Sequence, residues 1–365
     1  MIDTFQNIKI HNVHYNVNEL MVLCKEKIIN SQVQNWEKEI YLFLQDWYSP
    51  SNTIVVFTSG STGSPKKIVL QKKYMIVSAK ATLLFFDLKK DDTALLCLPV
   101  KYIAGKMMIV RSIVGGLNLL YSKPDSLPYI VMDQKVNFAA MVPNQVFGLL
   151  NSKAGIQQLL NIDNLLIGGA SISDKLKKML LANPAITAWQ SYGMTETITH
   201  IALRRIRHNN NANRYYPLKG IVVHTNNNNQ LIINAQKLGV TNLVTNDIAK
   251  VFEDGSFFIN GRVDNVIVSG GVKLFPEIVE RKIKKIVPGC FFIGSIPDER
   301  LGEKLILFIE GSLIKESRVD LLKNELKNNL QKFEVPKEIV FLPKFLRTET
   351  GKIIRKEIIH IFLRR

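Results

Sequence analysis

Thr58-Ser59-Gly60-Ser61-Thr62-Gly63-Ser64-Pro65-Lys66 follows the β-branched and aromatic run Ile54-Val55-Val56-Phe57, and this pair decides the fold. The apolar run has the residue types of a buried strand. The loop after it is built of small and hydroxyl-bearing residues, so its backbone N–H groups are uncovered and can surround phosphate oxygens. Ser59, Ser61 and Thr62 add hydroxyl donors, and Lys66 adds a point charge. The composition suits a polyphosphate grip, although a loop like this, standing alone, also serves as a flexible turn. It is not a Walker A loop, which needs G-x-x-x-x-G-K-[ST]. Here the glycines stand three apart and Lys66 follows Pro65.

The chain has 365 residues, more than one ordinary core accommodates, so two or more domains are expected. A 46% apolar fraction is enough to bury a sizeable interior. The first residues, Met1-Ile2-Asp3-Thr4-Phe5-Gln6, lack the charged and apolar regions of a signal peptide, and no apolar stretch is long enough to span a bilayer. Cys24, Cys97 and Cys290 are odd in number and far apart, which argues against a disulfide framework and for a reducing cytoplasm. The net charge of +17 is spread along the chain rather than gathered into one basic stripe. Without zinc-finger spacing or an RNP-type aromatic motif, it points to anionic small molecules rather than nucleic acid.

Strand-like runs at Ile54–Phe57, Leu95–Leu98, Leu165–Ile167 and Leu231–Ile233 alternate with helical spacing over Lys72–Phe86 and Lys175–Ala182. This alternation predicts an α/β architecture with layered, largely parallel sheets. The asparagine-rich stretches Asn209–Asn213 and Asn226–Asn229 read as loops or hairpin turns. A boundary is expected at Gly261-Arg262-Val263-Asp264. It separates a large domain, residues 1–261, from a small α+β domain, residues 262–365. There the pattern restarts with Val266–Val268, a glycine pair and a helix over Pro276–Ile286.

Several segments carry chemistry. Leu166-Ile167-Gly168-Gly169-Ala170 is a strand ending in a glycine pair, which lets a flat ring or a phosphate approach the backbone. Gln190-Ser191-Tyr192-Gly193-Met194-Thr195-Glu196-Thr197 offers an aromatic face, a flexible glycine, a hydroxyl and a carboxylate. Tyr192 can stack a purine, Thr195 can bond a phosphate oxygen and Glu196 can hold Mg²⁺. A helix-capping turn is the plain alternative. Asn246-Asp247 lies in a polar break between Leu243-Val244 and Ile248–Val251, where an Asp can accept both ribose hydroxyls or simply end a strand. Ser269-Gly270-Gly271-Val272-Lys273 makes another glycine loop. Arg347-Thr348-Glu349-Thr350-Gly351-Lys352-Ile353-Ile354-Arg355 sets Lys352 on a glycine turn, as a surface charge or something more.

Together these segments resemble the adenylate-forming superfamily, which holds acyl-CoA and aryl-CoA synthetases, peptide-synthetase adenylation domains and firefly-type luciferases. The resemblance runs from about Thr53 to Arg355, with the motifs in the family's order. It implies that the Ser59–Lys66 loop closes over the β- and γ-phosphates of ATP, with Thr58, Ser59, Gly60, Ser61, Thr62 and Gly63 binding the nucleotide. Gly168, Gly169, Ala170 and Tyr192 would frame adenine, and Gly193 would also belong to the nucleotide site. Thr195 would contact the α-phosphate, Glu196 the Mg²⁺, and Asp247 and Arg262 the ribose. Lys352 would bridge the reacting carboxylate and the α-phosphate, and Asp264 would be the hinge. The Gly270-Gly271 loop would enter for transfer to CoA.

The phosphate loop stands nearer the N-terminus than in most of that family, as in some short bacterial o-succinylbenzoate–CoA ligases of menaquinone biosynthesis. Leu98-Pro99-Val100-Lys101-Tyr102-Ile103-Ala104-Gly105-Lys106 resembles the acceptor-gating segment of these ligases. Arg111 or Lys106 can then pair with the substrate's free carboxylate, a contact worth about 1.5–3 kcal/mol, or both can face solvent. His200 is a candidate for the acyl pocket, with packing as its alternative. Asn229-Gln230-Leu231 and Asn246 depart from the family's Gly-Glu-Leu and glycine without removing a charged ligand. Replacing Lys352 by Ala is expected to cripple adenylate formation while sparing thioester formation from supplied acyl-adenylate. Separate half-reaction assays check this, and equal loss in both would contradict the role.

Overall fold

A computed structural model describes residues 5–57, 67–130, 132–208, 213–312, 316–348 and 353–364. The phosphate loop Thr58–Lys66, the stretch 209–212 and the residues 349–352, Lys352 included, lie outside these. The chain separates into two compact units. One is Met1–Val222 with Asn234–Asn242, and the other is Val223–Ile233 with Leu243–Arg365.

The first unit is organised by a nine-stranded sheet. Its strands are β1 (Asn7–Ile10), β2 (Val13–Asn16), β5 (Thr93–Leu96), β6 (Asn118–Tyr121), β7 (Val136–Met141), β8 (Ile162–Ile167), β9 (Ala188–Gly193), β10 (His200–Arg205) and β11 (Tyr216–Pro217). The hairpin β3 (Thr53–Phe57) and β4 (Lys67–Gln71) flanks the phosphate loop in sequence and pairs antiparallel. The spatial order is β11-β10-β9-β8-β7-β5-β6-β1-β2. The six strands from β9 to β1 run parallel, while β2, β10 and β11 pair antiparallel at the edges. A parallel interior buried on both faces explains the unbroken burial of Thr93–Leu96 in β5 and of residues 138–141 in β7. One face packs a core of Leu95, Met141, Val146, Leu165 and Leu176.

Two helices on this unit position the site. Lys72–Phe85 packs against Ile103–Gly115, and the latter ends at Gly116 in the left-handed region with φ 62°. Residues 107–113 of the second helix are all buried, so its apolar character all round follows from its place in the interior. Gly105 is required there, because a Cβ would lie 2.4 Å from the Pro99 carbonyl oxygen. Arg111 is carried inside as the charged residue of this buried stretch.

The second unit holds most of a four-stranded sheet, β12 (Val222–Thr225), β13 (Gln230–Ala235), β14 (Val240–Val251) and β15 (Phe257–Arg262). The sequence boundary at 261/262 falls at the end of β15. Beyond it lies a five-stranded sheet, β16 (Ile267–Ser269), β17 (Val272–Leu274), β18 (Phe291–Asp298), β19 (Gly302–Glu310) and β20 (Glu338–Leu342). Alternation along β18 and β19 sends Ile293, Leu305 and Leu307 to one core and Phe292, Ile306 and Phe308 to another. Cys24 and Cys97 are buried and Cys290 is half-buried, all with free thiols.

Two bidentate arginine–carboxylate pairs tie down the C-terminal end of this unit. Arg355 donates to Glu280 at 2.8 and 3.0 Å, and Arg347 donates to Glu310 Oε1 at 2.7 Å and Oε2 at 2.5 Å. Hydrogen bonding from Arg347 holds the Glu310 carboxyl at about 2, below its ordinary 4.5. A lowered folded-state value means the pair stabilises fully above the ordinary value and is lost as pH falls through the folded one. Glu310→Gln should therefore destabilise the chain at neutral pH, with the difference from wild type shrinking between about pH 5 and pH 2. Urea unfolding at several pH values measures it, and a difference independent of pH would contradict it.

Candidate functional site

The carboxyl ends of β8 and β9 lie side by side, the edge at which parallel α/β sheets place ligands. Gly168 follows β8, and its N–H donates to the Met141 carbonyl at 3.0 Å. Gly169 has φ 81°, a conformation that costs glycine nothing, and Ala170 follows it. On the neighbouring strand, Tyr192 pairs with Ala202 of β10, and its ring lies 5.6 Å from that of Tyr215. Arg204 covers Tyr215 at 4.8 Å. The structure thus brings together the glycine pair and the aromatic face expected to frame adenine. Gly193 differs from its expected role as a flexible point. A Cβ there would lie 2.1 Å from the Thr199 carbonyl oxygen and 2.6 Å from the His200 Cα, so its role is close crossing of the chain.

Thr195–Thr197 forms a 3-10 turn, and the backbone then makes a γ-turn at Ile198, with φ 67° and ψ −64°. The turn is closed by a hydrogen bond from the Thr199 N–H to the Thr197 carbonyl at 2.8 Å. A β-branched residue in this region is strained by about 1–3 kcal/mol. Burial of Ile198 and the Thr197 hydroxyl, which lies 3.0 Å from the Met194 carbonyl and 2.8 Å from that of Thr199, hold it there. The Glu196 side chain is exposed and has no hydrogen bond or ion pair among the described residues. No group of three His, Cys, Asp or Glu among those residues could hold a metal ion. A single free carboxylate fits Mg²⁺, which usually takes one or two carboxylates together with phosphate oxygens.

Behind this turn lies a polar cluster that sequence reasoning only half found. Arg111 is 2% exposed, and burial pulls its guanidinium down to about 9. Its Nε donates to Thr82 Oγ1 at 3.2 Å, one terminal nitrogen to Thr199 Oγ1 at 3.4 Å, and its charge lies 5.9 Å from the centre of the Phe138 ring. Among the described residues no carboxylate pairs with it. His200 Nε2 lies 3.2 Å from Thr82 Oγ1, and Ser78 shares a 2.9 Å hydrogen bond with Thr199. Burial, and then the Arg111 charge, lowers His200 well below the usual imidazole range, so the ring is neutral. A cavity of about 40 Å³ opens beside it, lined by Val77, Ser78, Ala81, Leu218 and Leu238. Lys106 goes elsewhere: its ammonium lies 4.7 Å from the centre of the Phe43 ring. Tyr102 precedes the helix as its N-cap residue and is half-buried. Thr82, Ser78 and Thr199 were missed, although one lone arginine in the apolar run Met107–Val114 was a signal of their kind.

Asp247, Arg262 and Asp264 belong to the second unit. Asp247 lies within a continuous β14, not in a polar break, and its cross-strand partner is Arg262 of β15. Arg262 donates to Asp247 at 3.0 Å and to Asp264 at 2.8 Å, and Asn246 donates to Asp264 at 3.2 Å. Gly270 and Gly271, with φ 57° and 81°, form the two-residue turn between β16 and β17, where positive φ at both positions matches the strand twist.

A parallel α/β sheet with a glycine pair and an aromatic face at adjoining strand ends is the scaffold of a nucleotide-binding enzyme. The chain belongs to the AMP-binding enzyme family, whose model matches residues 9–237. It is 25% identical to 2-succinylbenzoate–CoA ligase of Listeria monocytogenes over 343 residues, covering 86% of this chain and 71% of that protein. An acyl-CoA synthetase (AMP-forming)/AMP-acid ligase II-like protein from Dyadobacter fermentans is 31% identical with a TM-score of 0.62, covering 93% of this chain and 98% of that one. The o-succinylbenzoate CoA synthetase of Bacillus subtilis, in complex with its acyl-adenylate intermediate, shares the fold at 18% identity and a TM-score of 0.68, over 83% and 68% of the two chains.

Gly193→Ala should cost about 3 kcal/mol, because the clash is with backbone that cannot swing away. At Gly168 an added Cβ meets the Ser191 hydroxyl, at 2.5 Å, which can rotate. Gly168→Ala should therefore cost much less. Chemical unfolding of the two variants compares them, and equal costs would contradict the close crossing.

Proposed function

We propose that the chain activates a carboxylic acid with ATP as an acyl-adenylate, releasing pyrophosphate, and then passes the acyl group to CoA. The preferred acid is o-succinylbenzoate, which carries one carboxylate to be activated and one left free on its ring. The observation that carries this choice is Arg111, a buried cation with no carboxylate partner among the described residues. Relatives named 2-succinylbenzoate–CoA ligases support the same acid.

A carboxylate is a poor electrophile, so its oxygen attacks the α-phosphorus of ATP, the bond to pyrophosphate breaks, and AMP becomes the leaving group. Two anions must meet for this. Lys352 would offset the charge that grows on the α-phosphate oxygens, and Thr195 would donate to one of them. Thr58–Lys66 would hold the β- and γ-phosphates, with Tyr192 against adenine. Asp247 would receive the ribose hydroxyls, steadied by Arg262. Glu196 would hold Mg²⁺, which when bound neutralises phosphate charge. For the second step the part beyond 261/262 would turn at Asp264, withdrawing Lys352 and presenting Gly270 and Gly271 toward CoA. The reaction needs no membrane, and no helix among the described residues is long and apolar enough to cross one. A cytoplasmic enzyme acting on small molecules fits these features.

CoA-dependent AMP release across aromatic and aliphatic acids tests the reading, with o-succinylbenzoate expected to give the highest kcat/KM. Arg111→Met should raise KM for that acid roughly 10- to 100-fold, the loss of one charge-assisted contact, with KM for ATP little changed. A monocarboxylic acid used as well as o-succinylbenzoate would overturn the choice of acid.

A further inference from the structure

We propose that Thr82 is the positioning residue of the acyl pocket: its one hydroxyl sets both the direction of the Arg111 guanidinium and the tautomer of His200. The inference rests on the reading that Arg111 receives the substrate's free carboxylate, and it assigns a role to a residue outside the family motifs.

Thr82 is fully buried in the helix Lys72–Phe85. Its Oγ1 lies 3.1 Å from the Ser78 carbonyl, 3.2 Å from Arg111 Nε and 3.2 Å from His200 Nε2. A hydroxyl has one hydrogen to give and two lone pairs to offer, and a guanidinium can only donate. All three contacts are hydrogen bonds at once in a single arrangement. Thr82 donates to the Ser78 carbonyl and accepts from Arg111 Nε–H and from His200 Nε2–H. That arrangement leaves His200 Nδ1 without a proton. It also explains how a neutral imidazole is held beside a buried cation without either group losing its partner on Thr82.

The geometry on Arg111 follows from the same bond. With Nε tied to Thr82 and one terminal nitrogen near Thr199, two sides of the planar fork are fixed. Among the described residues the other terminal nitrogen has the Met108 sulfur as its hydrogen-bond partner, at 3.6 Å, a weak acceptor that an anion readily replaces. Without the Thr82 hydroxyl the fork is free to turn, and its Nε–H and the His200 Nε2–H compete for whatever acceptor remains.

Thr82→Val keeps the shape and removes the hydroxyl, with Thr82→Ala as the stand-in should the valine variant prove insoluble. In either, KM for o-succinylbenzoate is expected to rise roughly 10-fold or more with KM for ATP unchanged, and Thr82→Ser should restore it. The double variant Thr82→Val/Arg111→Met should be no worse than Arg111→Met alone, since both act through one contact. In ¹⁵N-histidine NMR of the full chain, His200 should show the Nε2–H tautomer, and Thr82→Val should change its signature. A raised KM in Arg111→Met together with an unchanged KM in the Thr82 variants would overturn the positioning role alone. Additive losses in the double variant, or a His200 signature indifferent to Thr82, would overturn it too. An unchanged KM in Arg111→Met would remove the reading beneath both.

Discussion

Removing a guanidinium from water costs several kcal/mol, and neutral hydroxyls repay only part of that. Arg111 is nonetheless enclosed with Thr82, Thr199 and the face of Phe138 as its company. A protein that needed only packing at this point would gain from a methionine of similar length, because exchanging buried charge for apolar bulk is often neutral or stabilising. The charge therefore fits the role proposed for it, one half of an ion pair whose other half would arrive with the substrate. The surrounding backbone is shaped to the same end. Gly105 lets the arginine's helix sit against the Pro99 carbonyl, and Gly193 lets β9 pass close to the Thr199–His200 segment. The γ-turn at Ile198 aims that segment inward at the expense of strain.

The second unit uses its cations differently. Arg262, Arg347 and Arg355 are each paired with carboxylates of the same unit. Arg262 joins Asp247 to Asp264, so the carboxylate proposed for the ribose and the residue proposed as the hinge share one donor. Arg347 and Arg355 stand on either side of residues 349–352 in sequence, each anchored by a fork to the body of the unit.

The strands, the helices and the parallel interior were legible because local apolar patterning encodes them. Ile54–Phe57 became Thr53–Phe57, and Lys72–Phe86 became Lys72–Phe85. The glycine pair and the Tyr192–Thr197 segment were legible for a second reason, the order of motifs. What escaped was long-range or geometrically two-valued. Thr82 and His200 lie 118 positions apart, and a threonine inside a helix carries no mark of the partner it will meet. Asp247 looked like a strand end because two polar residues interrupt an apolar run, yet the cross-strand Arg262 lets the strand continue through a charge. Glycine is ambiguous in the same way. At Gly271 it supplies positive φ, whereas at Gly193 it supplies absence of bulk, and the letter is the same.

Neutral His200 and cationic Arg111 give the pocket a fixed charge. Burial and the neighbouring guanidinium push the imidazole well below its ordinary range, and burial lowers the guanidinium only to about 9. The enclosure that leaves the arginine's charge without a carboxylate among the described residues also disfavours a second charge on the imidazole. The cluster then offers a single positive charge, that of Arg111. An ionisable histidine would have given a second charge at low pH and so a preference for more highly charged anions. On the proposed reading, a neutral ring would confine the electrostatic attraction to a single carboxylate and leave shape and hydrogen bonding to choose among acids that bear one.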